Sequence, residues 1–370
     1  MALQVEAARF WDPGVSIPGR LNLIAVLDWG LGHASRSLAL ANRLRQSGER
    51  VCWASAGQSL AMIKKETQGE IYYELPPYDI RYPTRSMSWN ILIQSGRILK
   101  VIRKERLAIE KVLLDSGADR LISDSRFGCR SDRVTSIFLS HQLQPIIPKV
   151  VGWLYRSWIE PFDAYWVPDE AHENRLSGRL SDGGNLGEIY YLGYLSRIDE
   201  RRDNYSDSLY LEKSDERNNQ PTSECRRHQK GKKHNWQVCV LLSGPEPQRT
   251  KLEVELLELL AQLSGQHWLI RGLPEGKNIA VPENIRLTQY ANSAQLKMAI
   301  AGAKLLICRS GYSTLMDLGV ANRTSVLLVP TPGQTEQEYL AQRAVEVGWS
   351  SSAKQGKISL EMIQELLAFS

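Results

Sequence analysis

Apolar residues come along this chain in short, nearly continuous blocks, separated by longer stretches whose apolar positions recur at helical spacing. Leu21–Leu27, Val51–Ser55, Ile71–Leu75, Arg120–Asp124, Ser136–Ser140, Tyr165–Pro168 and Ile189–Gly193 read as strands, several of them apolar throughout. A strand covered on both faces needs that continuity, whereas one with a wet face alternates. Between them Ala34–Ser47 and Trp89–Ser116 predict helices, the first ended by Gly48. From about Asp199 to Asn235 the chain turns to Asp, Glu, Arg, Lys, Asn, Ser and Gln, with too little apolar surface to offset the entropy of ordering it. The alternation then restarts. Strands Gln237–Ser243, His267–Arg271, Ile285–Gln289, Lys304–Cys308 and Ser325–Val329 interleave with helices Arg249–Ser264, Ser293–Ala301, Ser313–Leu318, Glu336–Val347 and Ser359–Ala368. Such alternation predicts an α/β protein of two doubly wound parallel-sheet domains facing one cleft, with ligands outside the carboxyl ends of the strands. The expected organisation is a loose extension over 1–20, a first domain over 21–198, a polar linker or disordered loop over 199–236 and a second domain over 237–370.

The net formal charge of +5 over 370 residues is too small a surplus for a dedicated nucleic-acid binder. Cys52, Cys129, Cys225, Cys239 and Cys308 are odd in number and lack Cys-x-x-Cys spacing, so neither a disulfide framework nor a zinc site is indicated and a reducing cytoplasm is expected. No apolar run approaches the ~20 residues that span a bilayer. Residues 1–20 lack the basic start and apolar core of a signal peptide.

Candidate chemistry sits where strands turn into helices. In Ile307-Cys308-Arg309-Ser310-Gly311-Tyr312-Ser313 a strand ends, a glycine turns and a helix opens, with Asp317 one turn on. Unpaired N–H groups and the positive dipole end at a helix start suit a phosphate oxygen, and a carboxylate one turn later suits a ribose or sugar hydroxyl. The turn Asp28-Trp29-Gly30-Leu31-Gly32-His33-Ala34-Ser35 repeats the arrangement, but its third glycine is Ser35 and strand Val51–Ser55 ends in Ser, a poor match to a nicotinamide site. It does place His33 at a helix start, where the dipole favours a neutral imidazole. His33 then either accepts a proton from an attacking hydroxyl or merely caps its helix.

Other strand ends offer choices of the same kind. Ser243, Gly244 and Arg249 hold an anion or form a plain loop with two prolines. Pro330 to Glu338, with Gln334, Glu336 and Gln337, recognises hydroxyls or simply places acid at a helix N-terminus. Asp124 and His141 are alternative bases, Asp124 a possible orienter of an imidazole, or both are structural hydrogen-bond partners.

Together these residues resemble the GT-B glycosyltransferases, and in particular the family of the N-acetylglucosaminyltransferase that forms lipid II, with its characteristic C-terminal domain. The likeness covers the arrangement of residues 21–350 and is specific over 285–341. It implies that Tyr290 and Ala291 border the nucleotide base, that Gly311 and Ser313 lie at the diphosphate, that Asp317 (Glu in that family) binds ribose, and that Glu336 and Gln337 bind the transferred sugar. It implies that His33, beside Gly30 and Gly32, lies near donor phosphate and acceptor. Two departures stand out: the family's Gly-Gly-x-Gly-Gly-His loop is Asp28-Trp29-Gly30-Leu31-Gly32-His33 here, and Arg36 replaces its proline. The expected activity is inverting transfer from a UDP-sugar to a glycan or lipid-linked acceptor, in the cytoplasm or at the inner membrane face and in service of the cell envelope. No Asp-x-Asp occurs in the chain, so the expected reaction uses no metal or other cofactor, with Arg309, Ser310 and backbone N–H groups steadying the departing diphosphate.

Gly32-His33-Ala34-Ser35-Arg36 also resembles the loop of nucleotide-sugar hydrolases of the pseudaminic acid pathway, where water replaces the acceptor. A non-catalytic nucleotide-sugar-binding protein is the third reading. On the acceptor side, the basic and apolar residues between Arg81 and Lys111 meet an anionic membrane or pack on the sheet, and the basic run 226–234 contacts phosphate or lipid or stays solvated. Trp153, Tyr155, Trp158, Phe162, Tyr165 and Trp166 stack on sugars or fill the interior.

Overall fold

The computed structural model describes residues 16–78, 95–198, 212–213, 236–273, 276–277 and 279–369. The chain divides into two compact units, Met1–Glu216 and Arg217–Ser370, the boundary falling within the polar 199–236 segment. The basic run 226–234 and the stretch 79–94, including the expected helix start at Trp89, lie outside the described residues.

In the first unit β1 (Leu21–Val26), α1 (Leu31–Gln46), β2 (Arg50–Ser55), α2 (Gly57–Glu66), β3 (Tyr72–Glu74), α3 (Ser95–Ser116), β4 (Arg120–Asp124), β5 (Thr135–Leu139), α4 (Lys149–Ile159), β6 (Ala164–Val167) and β7 (Glu188–Tyr191) follow one another. These strands form a parallel sheet in the order β3-β2-β1-β4-β5-β6-β7, and the two-residue β8 (Glu212–Lys213) adds antiparallel to β7. The expected strands are all present, because their apolar continuity meets burial on both faces: β1, β4, β5 and β6 are buried at every residue. Helices α2 and α4 go beyond the expected elements. Both are short and carry few apolar residues on the buried side, Leu60 and Ile63 in α2 and Val151 and Ile159 in α4.

Two apolar clusters hold this unit. Leu23, Ala25, Cys52, Ala54 and Leu121 pack with Ile109, Val112 and Leu113 of α3. Phe138, Tyr165 and Val167 pack with Ile98, Val101, Phe127, Ile159 and Phe162. At about 1.5–3 kcal/mol for each large side chain removed from water, these clusters outweigh any single polar contact. Phe162 and Tyr165 are buried there and Trp166 is buried beneath the Arg120 guanidinium, which resolves those three aromatics as interior filling, whereas Trp153 is 74% exposed.

The second unit runs β9 (Trp236–Leu241), α5 (Gln248–Ala261), β10 (His267–Ile270), β11 (Ile285–Thr288), α6 (Ser293–Gly302), β12 (Ala303–Cys308), α7 (Tyr312–Val320), β13 (Val326–Leu328), α8 (Thr335–Glu346), β14 (Ser351–Ser352) and α9 (Leu360–Ala368). Its six strands are parallel, in the order β11-β10-β9-β12-β13-β14. Alternate residues Val238 and Val240, Leu305 and Ile307, with Leu252, Leu256 and Leu260 of α5, form its core. Each unit is thus a doubly wound parallel sheet, as the alternation of elements predicted.

Candidate functional site

In a doubly wound sheet the connections leave in opposite directions at the strand pair where the order reverses, and the crevice outside those carboxyl ends takes the ligand. The reversal falls between β1 and β4 in the first unit and between β9 and β12 in the second. The turns singled out from the sequence, after Val26, Asp124, Leu241 and Cys308, follow those four strands.

At the first reversal β1 and β4 pair in parallel with Val26 beside Asp124. The chain then turns through Gly30, whose φ of 91° suits glycine, into α1. A Cβ at Gly30 would meet nothing within 4 Å, so the turn is open on that side. Its rear is braced. Trp29 meets Tyr78 edge-on with ring centroids 5.7 Å apart, and the Tyr78 hydroxyl donates to Glu105, itself paired with Arg126 at 2.6 Å. All three of Tyr78, Glu105 and Arg126 are buried, and removing one partner of such an ion pair costs about 3–5 kcal/mol.

His33, in the first turn of α1, stands with Nδ1 2.8 Å from Asp124 Oδ1. Asp124 is completely buried, while the His33 side chain is 20% exposed. Arg36 and Ser37, three and four positions after His33 and so on the same helical face, reach the same carboxylate. Arg36 Nε donates to Oδ1 at 3.1 Å and Oδ2 at 3.0 Å, its Nη2 donates to Oδ1, and Ser37 Oγ donates to Oδ2 at 2.7 Å. Burial opposes ionisation of Asp124, but the Arg36 guanidinium and His33 outweigh it and hold the carboxyl well below the usual carboxylate range. The following residue, Ser125, takes a φ of 58°, uncommon outside glycine, and its hydroxyl accepts from Arg36 Nη2 at 3.1 Å. His141, just beyond β5, completes the cluster with Nδ1 3.0 Å from Arg36 Nη1.

The structure therefore brings all three candidate bases together and gives them different surroundings. Asp124 is shielded from any substrate and oriented toward an imidazole. His141 is 8% exposed and faces a guanidinium. His33 alone combines a carboxylate partner on one ring nitrogen with partial exposure. Arg36, noted in the sequence as a departure from the family loop, and Ser37 follow Ser35 in a polar stretch just before the apolar Leu38–Ala41, and that stretch at a helix start was their signal.

At the second reversal the candidate residues sort by exposure. Ser243 and Gly244 are exposed, and Tyr290, Gly311, Ser313, Gln334 and Glu336 are half-buried. Gly244 has a φ of 101°, and a Cβ there would lie 3.3 Å from Thr331 Oγ1, so the loops after β9 and β13 touch. Gly311 caps α7 with φ −70° and ψ 140°, supplying no side chain, and a Cβ added to it would meet nothing within 4 Å. The space beside Gly311 is thus open. Gln337 is buried; its Oε1 accepts from Thr331 N at 2.9 Å and its Nε2 donates to Gln334 Oε1 at 2.6 Å, which shapes the loop before α8.

Two arginines are placed otherwise than expected. Arg309 is completely buried, and in place of a diphosphate it donates to Val329 O at 3.1 Å, Pro330 O at 3.2 Å, Gln248 O at 2.9 Å and Gln355 Oε1 at 2.8 Å. Arg249 is committed to Glu246 at 2.6 Å, Glu253 at 2.9 Å and Thr250 at 2.6 Å, and Glu253 also binds Arg271. Ser310 is likewise buried, donating to Gln337 O at 2.7 Å. Asp317 and Ala291 are buried as well. Backbone carbonyls at strand ends lack ladder partners and need such donors; Arg309 ties three segments together, at Val329–Pro330, Gln248 and Gln355.

Residues 250–368 match the glycosyltransferase family 28 C-terminal domain. An uncharacterized glycosyltransferase of Methanosarcina mazei is 25% identical to the chain, over 93% of this chain and 89% of the relative. Among solved structures, Acinetobacter baumannii MurG aligns with a TM-score of 0.53 and 14% identity over 95% of this chain and 90% of its own. The spinosyn rhamnosyltransferase SpnG, complexed with thymidine diphosphate, aligns with a TM-score of 0.62 and 12% identity over 95% and 91%. With two doubly wound sheets, the fold of these enzymes and a family 28 C-terminal domain in its second unit, the chain is a glycosyltransferase of the GT-B fold.

Proposed function

We propose that this glycosyltransferase moves a sugar from a UDP-sugar held by the second unit to a hydroxyl of a glycan or lipid-linked acceptor, by a metal-independent, inverting displacement. The observation that carries the reading is the His33–Asp124 pair at the reversal point of the first sheet. The ionised Asp124 holds the proton of His33 on Nδ1, leaving the Nε2 lone pair to take the acceptor's proton. The acceptor oxygen attacks the anomeric carbon as the bond from that carbon to the diphosphate breaks, and the diphosphate leaves with the electron pair. Backbone N–H groups at the starts of α7 and of the Ser243–Gly244 loop receive it. Each such donor is worth about 3 kcal/mol at the transition state.

In this reading Tyr290 and Ala291 flank the base, Asp317 binds ribose, and Gln334, Glu336 and Gln337 meet the transferred sugar. The thymidine diphosphate bound by the neighbour SpnG supports a nucleoside diphosphate as leaving group. A peripheral contact with an anionic membrane surface is supported by α3, where Leu99, Leu107 and Leu114 are exposed among Lys100, Arg103, Lys104 and Lys111. No helix of the described residues is long and apolar enough to cross a membrane.

Incubation with a panel of UDP-sugars, with and without lipid extract, tests the assignment. Nucleotide release that requires an acceptor supports transfer. Equal release without one assigns a hydrolase instead, and binding without release assigns a non-catalytic protein.

A further inference from the structure

Arg36 touches both histidines and the carboxylate of the first site, and the polarity of each contact fixes where protons sit. A guanidinium has N–H donors and no acceptor. Its Nη1 lies 3.0 Å from His141 Nδ1, so that nitrogen offers a lone pair and the ring proton of His141 sits on Nε2. Nε2 is 3.2 Å from Gln142 Nε2, and a ring proton there turns that side-chain amide over so that its oxygen accepts. His33 receives the opposite instruction. Its Nδ1 lies 2.8 Å from Asp124 Oδ1 and 2.9 Å from Arg36 Nη2, whose two protons have three neighbours, Asp124, Ser125 and His33; because the ionised carboxylate cannot donate, the ring supplies the proton of the His33–Asp124 contact and the Nη2 protons fall to Asp124 and Ser125. An ionised acceptor at that distance requires Nδ1–H, which leaves the His33 lone pair on Nε2.

We propose that Arg36 is the positioning residue of this glycosyltransferase, pinning Asp124 and occupying His141 Nδ1 so that the two histidines are held in opposite neutral tautomers and only His33 presents a basic nitrogen to the acceptor. The proposal rests on the reading of His33 as base. The titratable and charged groups facing the cluster are His33 and Arg36 from α1, Asp124 from β4 and His141 after β5; Ser37, Ser125 and Gln142 are neutral. A second proton on either ring would set an imidazolium against the guanidinium. Loss of Arg36 releases His141 Nδ1 and leaves Asp124 held by His33 and Ser37, so the His141 ring is free to take either tautomer.

Long-range proton–nitrogen correlation spectra of the full chain labelled with ¹⁵N-histidine, recorded from about pH 5 to 9, read both rings without substrate, with His33 and His141 identified through H33Q and H141Q. The expected wild-type result is His33 as the Nδ1–H tautomer and His141 as the Nε2–H tautomer. In R36M, the His141 signals change as both neutral tautomers populate, and kcat falls about tenfold or more. R36K keeps the charge but also loses turnover, because one ammonium cannot replace the fork. The same tautomer on both wild-type rings, or R36M spectra identical to wild type, overturns the proposal. The wild-type spectrum decides even if R36M fails to fold. Full turnover by H33Q would instead overturn the base reading beneath it.

Discussion

Asp124 stands 91 positions from His33 in the chain and 2.8 Å from it in space, Oδ1 against Nδ1. The parallel pairing of β1 with β4 creates that approach, and complete burial of the carboxylate makes it consequential. If His33 is the base, His33→Gln lowers kcat about 10²–10⁴-fold, the usual range for a positioned acid–base group. Donor affinity should change far less than kcat, because most of the residues proposed to bind the donor lie in the second unit. Nucleotide release in the presence of acceptor, set beside a calorimetric donor titration, separates the two effects.

Gly311 tests the diphosphate site without disturbing the fold. Its φ of −70° is open to any residue, and a Cβ has no protein neighbour within 4 Å. Gly311→Ala should therefore leave stability within about 0.5 kcal/mol of wild type, yet weaken donor binding at least tenfold by filling the space before the α7 amides. Thermal denaturation and a nucleotide titration on one preparation give both numbers. Undiminished affinity would move the diphosphate elsewhere.

Arg309 is expected to behave in the opposite way. Arg309→Met strips donors from the carbonyls of Val329, Pro330 and Gln248, and each unsatisfied buried group costs about 1–3 kcal/mol. The loss should appear as a lowered Tm, with KM for the donor altered only as far as the loop after β13 relaxes. A variant of normal Tm and collapsed turnover would restore Arg309 to the diphosphate.

Acid stability should report Asp124. Burial raises its pKa, but Arg36 and His33 more than reverse that, so the folded value lies below the ordinary 3.8. A depressed folded pKa means stability that is complete above the unfolded value and lost as pH falls through the folded one. Wild type should therefore lose Tm more steeply than Asp124→Asn between about pH 5 and pH 3. Asp124→Asn should be the less stable protein at pH 7 and the two should approach each other in acid. Parallel curves would mean that the carboxylate contributes no pH-dependent stability.

The order of elements, the doubly wound class and the glycine turns were legible in the sequence, because apolar continuity and helical spacing are local properties that burial on two faces imposes. Two parallel sheets followed from them, and Gly30, His33 and Gly311 were placed at helix starts by the same local rules. Strand order was not legible, since nothing local states which strands become neighbours, and the β1–β4 and β9–β12 reversals that select the ligand-binding ends belong to the assembled sheet. Nor was the division of labour among polar residues. Arg309 and Arg249 have the composition of anion ligands, but burial sets their guanidiniums on carbonyls and glutamates. Arg36, a mismatch in the linear pattern, joins residues from α1, β4 and the loop after β5, and a buried charge finds its partners only once those strands lie side by side.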